Sequence, residues 1–465
     1  MRRLRNDVAA LGTTIAMVRR SRKVSRNDIA ALGTTIAMVR RSRNALTATM
    51  IAGLALVLAG CTSGGSDTVA PPSQVSPSPV AAALAITPQT GTQSVTPDTP
   101  IVVTAANGQI QDVAVHTDGD QVSGTLSQDK TSWRSSGGLN VSQSYTVTAT
   151  AVNPAGQTVS VTSTFTTLKP ANTFHAHVFE GDHATYGVGM PIQLTFNHPI
   201  TDKAAVERAL HVTTSQPVVG AWAWADSEHV DFRPRDYWPA HTTVTLDAQL
   251  DGVQGAPGMY GSADLNQTFL IGDSLIVTAS TTTHHMQVYR NGQLQLDWPI
   301  SPGQPGHDTE NGTYLTIDKA NPEEMKPSDI APGRPGYYDL QVPWSVRFTW
   351  SGDFLHAASW SVGQQGRVDV SHGCVNMPPA AAQTYYQEEI PGDPVTITNS
   401  PVAGTPGDGW TDWFDSWSQV LAKSALHQAV QAGPNGSTFV DPSAVPASTA
   451  TSPTGSSVAN NAAAS

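Results

Sequence analysis

Ser371-His372-Gly373-Cys374-Val375-Asn376 contains one of the two cysteines of this 465-residue chain, and His356 precedes the run. A free cysteine has a pKa of about 8.5 and becomes a good nucleophile when an imidazole favours loss of its proton. Gly373 lacks a side chain, so the backbone can turn sharply and direct N–H groups at one point, as an oxyanion hole requires. The stretch predicts a cysteine nucleophile with a histidine base for acyl transfer.

Three other interpretations of Cys374 are weaker. A buried structural thiol is common for a single cysteine, but it does not require polar neighbours on both sides. His356, His372 and Cys374 are of the types that bind catalytic zinc, yet no Cys-x-x-Cys or His-Glu-x-x-His pattern accompanies them. A disulfide with Cys61 conflicts with the predicted fate of that residue. We therefore expect no metal and no other cofactor.

Residues 1–60 have the pattern of an export signal. An apolar stretch, residues 45–59, follows three arginines and ends in Leu58-Ala59-Gly60-Cys61, which resembles a bacterial lipobox. Cleavage there would make Cys61 the first residue, with lipid on its sulfur, and would leave it unable to form a disulfide. Residues 5–22 recur almost unchanged as residues 26–43, which we interpret as an internal duplication of the leader or as a mis-assigned start, with Met38 as a plausible initiator.

The charge balance changes when the leader is set aside. Residues 1–60 hold 11 of the 25 Lys and Arg residues and 2 of the 37 Asp and Glu residues, which leaves 14 and 35 and a formal charge of −21. An acidic surface argues against nucleic acid or bare anionic lipid as a partner. We expect the lipid on Cys61 to anchor the protein at the outer face of the plasma membrane, in the cell envelope.

The sequence after Cys61 predicts a flexible stalk followed by β domains. Residues 61–81 are rich in Ser and Pro and cannot form a core. Residues 82–170 are rich in Thr and Val, and two alternating stretches flank Asn153-Pro154-Ala155-Gly156, which is typical of a hairpin. Several short strands in this space predict an immunoglobulin-like sandwich without a disulfide.

Residues 171–272 predict a second immunoglobulin-like sandwich. The expected elements are three strands and one helical stretch, at residues 192–196, 229–232, 243–246 and 204–210. Four aromatic residues have the chemistry of a sugar platform, but core or interdomain packing is favoured for them: Trp222, Trp224, Tyr237 and Trp238.

Residues 273–398 keep a period near two, and Asn291-Gly292 is typical of a tight hairpin. One helix is predicted at residues 378–389, so Cys374 is expected near a helix N-terminus. A Trp-rich helical extension is expected over residues 399–433, with its tryptophans packed against the preceding domain. Residues 434–465 have the composition of a disordered tail.

The Cys374 motif resembles the active-site signature of the L,D-transpeptidases, cysteine enzymes that cross-link bacterial peptidoglycan. The similarity includes His356-Ala357, Trp360-Ser361-Val362, Gly363-Gln364-Gln365-Gly366 and Asn311-Gly312-Thr313-Tyr314. The layout over about residues 82 to 430 resembles the lipid-anchored actinobacterial members with two immunoglobulin-like domains. The resemblance implies a mainly β protein, with two immunoglobulin-like β-sandwiches followed by a catalytic β-sandwich domain with short helices.

The resemblance also assigns catalytic roles. Cys374 would be the nucleophile and His356 its base, oriented by the backbone carbonyl of Ala357. Family members often have serine at the position of Ala357, and a role for the main-chain carbonyl makes this departure tolerable. His372 and Gly373 would supply the wall that faces the substrate and backbone donors.

Further residues are assigned to substrate binding. Tyr338 matches a tyrosine whose hydroxyl assists the oxyanion hole, although an ordinary half-buried tyrosine is an equal interpretation. Met325 is expected on a mobile lid, in a loop from residue 320 to 336 that is rich in Pro and Gly. Ser371, Asn376 and Trp360 complete the set, and Asn376 would also hold the turn of the motif together.

The reaction implied is acyl transfer between peptidoglycan stem peptides. The thiol attacks the carbonyl of the diamino acid at the third stem position, expels the terminal D-alanine and forms a thioester, which the side-chain amine of a second stem converts into a 3→3 cross-link. Carbapenem-type inhibitors would acylate the same thiol. An L,D-carboxypeptidase or other stem-peptide cysteine hydrolase remains open, as does a non-enzymatic wall-binding scaffold.

Overall fold

The computed structural model of the protein describes residues 79–117, 122–327, 330–334 and 337–445. The predicted leader, the lipidation site Cys61 and most of the stalk lie outside the described residues. The described ranges are mainly β, with three short α-helices. None of the helices in these ranges is long and apolar enough to cross a membrane.

The first β-sandwich is present where the sequence predicts one, and it has seven strands in two sheets. They are β1 (Ala83–Thr87), β2 (Val102–Ala106), β3 (Gln109–His116), β4 (Gly124–Leu126), β5 (Ser132–Ser135), β6 (Ser144–Val152) and β7 (Thr158–Thr166). The sheets have the orders β1-β2-β5-β4 and β3-β6-β7. The predicted hairpin joins β6 to β7, and the Asn153 side chain accepts hydrogen bonds from the N–H groups of Ala155 and Gln157. That bonding is the Asx-type turn chemistry that the sequence indicates.

The second β-sandwich contains every element predicted for it. Its elements are β8 (Asn172–Phe174), β9 (Ala176–Val178), β10 (Thr185–Tyr186), β11 (Ile192–Phe196), α1 (Lys203–Arg208), β12 (Leu210–Thr214), β13 (Val218–Trp224), β14 (His229–Pro234), β15 (Thr243–Ala248), β16 (Gln254–Ala256), β17 (Met259–Gly261) and β18 (Leu265–Ile271). Trp222, Trp224 and Trp238 are buried in its core, and Tyr237 packs beside it. These aromatic residues therefore pack, as favoured, and do not form an exposed sugar platform.

The third domain, which is expected to be catalytic, places two sheets around one core. Its elements are β19 (Leu275–Ser280), β20 (His285–Arg290), β21 (Gln293–Pro299), β22 (Gly312–Leu315), β23 (Lys319–Ala320), β24 (Glu323–Met325), β25 (Leu340–Val342), β26 (Ser345–Arg347), β27 (Phe354–Ala357), β28 (Val375–Met377), α2 (Pro379–Glu388) and β29 (Pro394–Thr398). The larger sheets have the orders β21-β20-β19-β29-β22 and β23-β26-β27-β28, while β24 pairs with β25. Asn291 and Gly292 both have positive φ in the predicted hairpin, as a primed turn requires.

The C-terminal segment differs from its prediction. Its elements are a 3₁₀ turn (Asp412–Phe414), α3 (Trp417–Lys423), β30 (Ala429–Gly433), β31 (Gly436–Val440) and a second 3₁₀ turn (Pro442–Ala444). The expected helical extension thus ends early, and part of the expected disordered tail, residues 434–445, is ordered. The reason is strand pairing: β30 adds to β13 of the second sandwich, which buries Val430 and Ala432 in its core. Pro434-Asn435-Gly436 supplies the turn to β31.

The tryptophans before α3 join the second sandwich to the catalytic domain. Trp410 packs with Met190 of the sandwich and with Leu315 and Ile317 of the catalytic domain. Trp413 donates a hydrogen bond from its indole N–H to the carbonyl of Gly189 at 2.8 Å. The prediction that these side chains serve packing is confirmed, and their packing partners include the sandwich as well as the catalytic domain.

Candidate active site

The predicted nucleophile and base lie on neighbouring parallel strands. β27 and β28 pair with His356 opposite Asn376, and Cys374 is the residue just before β28. Both strands are buried, because Phe354, Leu355, Val375 and Met377 contribute to the domain core or are shielded by it. The packing of this strand pair therefore determines the positions of the imidazole and the thiol.

His356 is held in one tautomer. Its Nδ1 lies 3.1 Å from the carbonyl oxygen of Ala357. Because a carbonyl can only accept, Nδ1 carries the proton and Nε2 presents a free lone pair. The imidazole is almost fully buried, and this burial lowers the pKa of His356 to about 4. The ring is therefore a neutral base at neutral pH, oriented by Ala357 as the resemblance implies.

Cys374 is a neutral thiol in this state. Its Sγ donates to the carbonyl oxygen of Gly352 at 3.8 Å rather than to His356. Burial, and then the charge of Asp353, raises the pKa of the Cys374 thiol to about 12, although the backbone N–H groups of Phe354 and Cys374 oppose the shift. Proton transfer to His356 has to accompany attack on the substrate.

The turn before the thiol is held by Ser371. Its hydroxyl donates to the carbonyl oxygen of Cys374 at 2.5 Å and accepts from the Gly373 N–H at 3.2 Å. Gly373 has a φ of +123°, a conformation that favours glycine. Because its N–H is already bonded, Gly373 does not offer the backbone donor that was expected from it. Ser371, predicted to bind substrate, is buried, and its hydroxyl shapes the turn.

Asn376 lies opposite His356 in the strand pair and bonds to the turn that follows β27. It is buried, and its Nδ2 donates to the hydroxyl of Ser361 at 3.1 Å. Ser361 ends the 3₁₀ turn Ser359–Ser361, which carries Trp360. The indole of Trp360 is about half exposed, and its centroid lies 5.9 Å from that of the His356 ring. The structure therefore bonds Asn376 to the turn that carries Trp360, and the Trp360 ring lies exposed beside the His356 ring.

The helix after the motif does not begin at the thiol. β28 separates Cys374 from the start of α2 at Pro379, and three extended residues span about 10 Å. The expectation of a thiol at a helix N-terminus is therefore wrong. Val375 and Met377 are buried in the domain core, which explains why the chain continues as a strand before the helix begins.

The open side of the site is lined by aromatic rings. His372 is exposed, and its ring lies 5.7 Å from that of Tyr338 and 4.9 Å from that of His307. Partial burial and the neighbouring His307 lower the pKa of His372. His307 was not predicted from the sequence, since no motif marks its loop. Met325 pairs with Leu340 in the two-stranded β24–β25 sheet, so the expected lid region contains a hairpin close in sequence to Tyr338.

Asp353 is a second residue that the sequence did not single out. It lies between Gly352 and β27, and burial, reinforced by the carboxylates of Asp408 and Glu310, raises its pKa to about 7. Its position three residues before His356 gives no recognisable spacing. Among the described residues, no group of three or more His, Cys, Asp or Glu side chains is arranged to hold a metal ion.

A neutral thiol beside a single-tautomer imidazole is suited to general-base attack on a carbonyl, so the site belongs to the class of cysteine acyltransferases. Residues 274–397 match the family model described as the L,D-transpeptidase catalytic domain, and residues 92–254 match the bacterial Ig domain. The chain belongs to the L,D-transpeptidase family.

Two relatives from Mycobacterium tuberculosis support this assignment. L,D-transpeptidase 5 is 36% identical over 360 residues, which are 75% of this chain and 78% of the relative. L,D-transpeptidase 2 is 35% identical over 339 residues, 72% of this chain and 83% of the relative. A solved L,D-transpeptidase in complex with imipenem is 34% identical, with a TM-score of 0.42, and the match covers 49% of this chain and 100% of the other.

Proposed function

We propose that this L,D-transpeptidase joins peptidoglycan stem peptides by 3→3 cross-links through a thioester on Cys374. The observation that carries the proposal is the fixed tautomer of His356, which leaves the Nε2 lone pair available. His356 lies on β27, and the neighbouring strand β28 begins directly after the nucleophile Cys374. The donor is a tetrapeptide stem, and the acceptor is the side-chain amine of a second stem.

The first half-reaction needs one proton relay. Rotation about the Cα–Cβ bond of Cys374 would turn Sγ from Gly352 towards Nε2 of His356. Sγ attacks the carbonyl carbon of the third residue while its proton passes to Nε2. The bond to the terminal D-alanine then breaks, and the leaving nitrogen takes that proton. Thiol and amide thus become thioester and amine, with His356 unchanged at the end.

The oxyanion of this step requires donors other than Gly373. The Cys374 N–H lies beside the sulfur, since it contributes to the pKa of the thiol. Tyr338, beside His372, is the second donor that we assign, through its hydroxyl. Two preorganised donors aimed at the developing negative charge stabilise a tetrahedral intermediate strongly.

Carbapenem acylation provides the experimental test. A β-lactam is a strained amide, so the thiol that opens a stem amide should also open the lactam. Incubation of the purified protein with imipenem should add the mass of one intact inhibitor, located on the proteolytic peptide that contains Cys374. A folded protein that gains no mass, or that gains it on another peptide, would contradict the proposed nucleophile.

Membrane anchoring is a separate part of the proposal. The lipobox-like Leu58-Ala59-Gly60-Cys61 supports lipid attachment at Cys61 and a location at the outer face of the plasma membrane. Cys61→Ala should therefore release the protein from the membrane fraction or leave an uncleaved precursor, whereas Cys374→Ser should leave the fractionation unchanged. A mature N-terminus other than Cys61 in wild-type cells would contradict this assignment.

A further inference from the structure

Asp353 is a carboxylate close to the nucleophile that the mechanism above does not use. It follows Gly352, whose carbonyl oxygen lies 3.8 Å from Sγ of Cys374, and it precedes the strand of His356. Its side chain is partly exposed. Asp353 therefore adjoins a residue that contacts the thiol, and its side chain reaches the solvent.

The carboxylate also contacts the turn that carries the thiol. A Cβ atom built on Gly373 would lie 2.3 Å from Oδ1 of Asp353 and 3.6 Å from Oδ2. Only glycine leaves room for the carboxylate at this position. Asp353 is thus packed against the residue before the nucleophile, and its charge is felt by the Cys374 thiol.

The groups around Asp353 explain its proton affinity. Burial, reinforced by the carboxylates of Asp408 and Glu310, raises the pKa of Asp353 to about 7, while a hydrogen bond from Thr349 lowers it. Besides the Cys374 thiol, Tyr314 responds to Asp353: burial, and then the charges of Glu310 and Asp353, raise the pKa of the Tyr314 hydroxyl. Asp408 accepts from the backbone and hydroxyl of Ser351, and Glu310 from the N–H of Thr405. Asp408 and Glu310 are therefore held by hydrogen-bond donors, whereas Asp353 is the one of the three carboxylates whose charge raises the pKa of the Cys374 thiol.

The second half-reaction, in which the acceptor amine attacks the thioester, needs a base besides His356. The acceptor amine resembles a lysine amine, with a pKa of about 10, and arrives as an ammonium ion. It has to lose one proton before it can attack. Two protons leave the ammonium ion in all, and buried His356 can pass only one of them to Sγ, so the other needs a separate acceptor. A carboxylate beside the thioester attracts the ammonium ion and can accept the proton.

We propose that Asp353 is a catalytic residue of the acceptor step, which binds the ammonium group of the incoming stem and takes its first proton. This inference rests on the proposed function. Carboxylate and ammonium become carboxylic acid and amine, and the amine nitrogen attacks the thioester carbonyl. The carbon–sulfur bond breaks, the second amine proton passes through His356 to Sγ, and Asp353 releases its proton to water.

The test measures how the thioester is partitioned. With disaccharide-tetrapeptide as donor and acceptor, attack by the amine gives a cross-linked dimer and attack by water gives a tripeptide. Asp353→Asn should lower the ratio of dimer to tripeptide by about 100-fold at neutral pH, within the range for loss of a general base. Asp353→Glu should restore part of the ratio. The ratio does not depend on how fast the thioester forms.

A matched control separates local from general charge effects. Asp112 lies exposed on β3 of the first sandwich, so Asp112→Asn removes the same charge and should leave the ratio unchanged. If the wild-type enzyme forms dimers and the dimer-to-tripeptide ratio of Asp353→Asn is within twofold of wild type, the role of Asp353 is overturned while the proposed function stands. Absence of both products from the folded wild-type enzyme would overturn the proposed function and this inference with it.

The wild-type enzyme offers a second measurement if Asp353→Asn does not fold. The ratio of dimer to tripeptide should rise with pH up to about 7, as Asp353 ionises, and then level off. A ratio that keeps rising about tenfold per pH unit to about pH 9 would show that the acceptor loses its proton to solvent, and the role of Asp353 would be rejected.

Discussion

Cys374→Ser is expected to abolish cross-linking while leaving the fold intact. The exchange of sulfur for oxygen is nearly isosteric, but a hydroxyl beside a neutral imidazole is a much poorer nucleophile than a thiol in this setting. Dimer formation from disaccharide-tetrapeptide should fall below detection, and thermal unfolding should be close to that of wild type. If the purified serine variant still forms dimers, Cys374 is not the nucleophile.

His356→Ala is expected to slow acylation of Cys374 by roughly two to four orders of magnitude, the range for removal of a general base. His372→Ala is the matched control, because His372 is exposed and contacts Tyr338 and His307 rather than the Ala357 carbonyl. Its effect on single-turnover acylation by imipenem should be clearly smaller. The opposite ranking would exchange the roles of the two histidines.

The buried base His356 predicts that acylation of Cys374 persists to an unusually low pH. Because the pKa of His356 is lowered to about 4 by burial, the imidazole stays neutral as the pH falls below the usual histidine range. Acylation should lose its base only as the pH approaches about 4, where the ring becomes protonated. An acid limb centred near the ordinary histidine pKa of about 6.5 would instead indicate an exposed base such as His372.

The sequence predicts the reacting residues of the site better than the strand pairing and hydrogen bonds that hold them in place. Cys374 and His356 were identified from residue type and context, and the contact of His356 with the Ala357 carbonyl followed from the resemblance. The parallel pairing of β27 with β28 could not be read from the sequence, because the two strands are short and connected by a long irregular segment. The resemblance implied that Asn376 holds the turn of the motif together, but its bond to Ser361 depends on that pairing.

Local patterns predicted the sandwiches, since alternation and turn residues act over a few positions. The C-terminal segment illustrates the limit of this approach. Alternation in Ala429–Gly433 and the turn at Pro434-Asn435-Gly436 were present in the sequence, but the partner strand β13 is about two hundred residues away in the chain. Burial against that distant edge, rather than intrinsic propensity, determines the strand.

Asp353 was missed for a related reason. Its relation to Cys374 depends on the close approach of its carboxylate to Gly373, across two different segments. A carboxylate near a nucleophile is recognisable only when the intervening backbone is known. In the second sandwich, by contrast, Trp222 and Trp238 are core residues, whereas the indoles of both Trp350 and Trp360 near the site are about half exposed.

Direct detection of the acyl-enzyme tests the central claim most simply. The purified protein is mixed with a tetrapeptide donor, quenched in acid within one turnover, digested and weighed by mass spectrometry. The account predicts that the peptide containing Cys374 gains the mass of the donor stem without its terminal D-alanine, and that the adduct is absent from Cys374→Ser. Dimers that accumulate without this adduct, or an adduct carried by another residue, would contradict a thioester on Cys374.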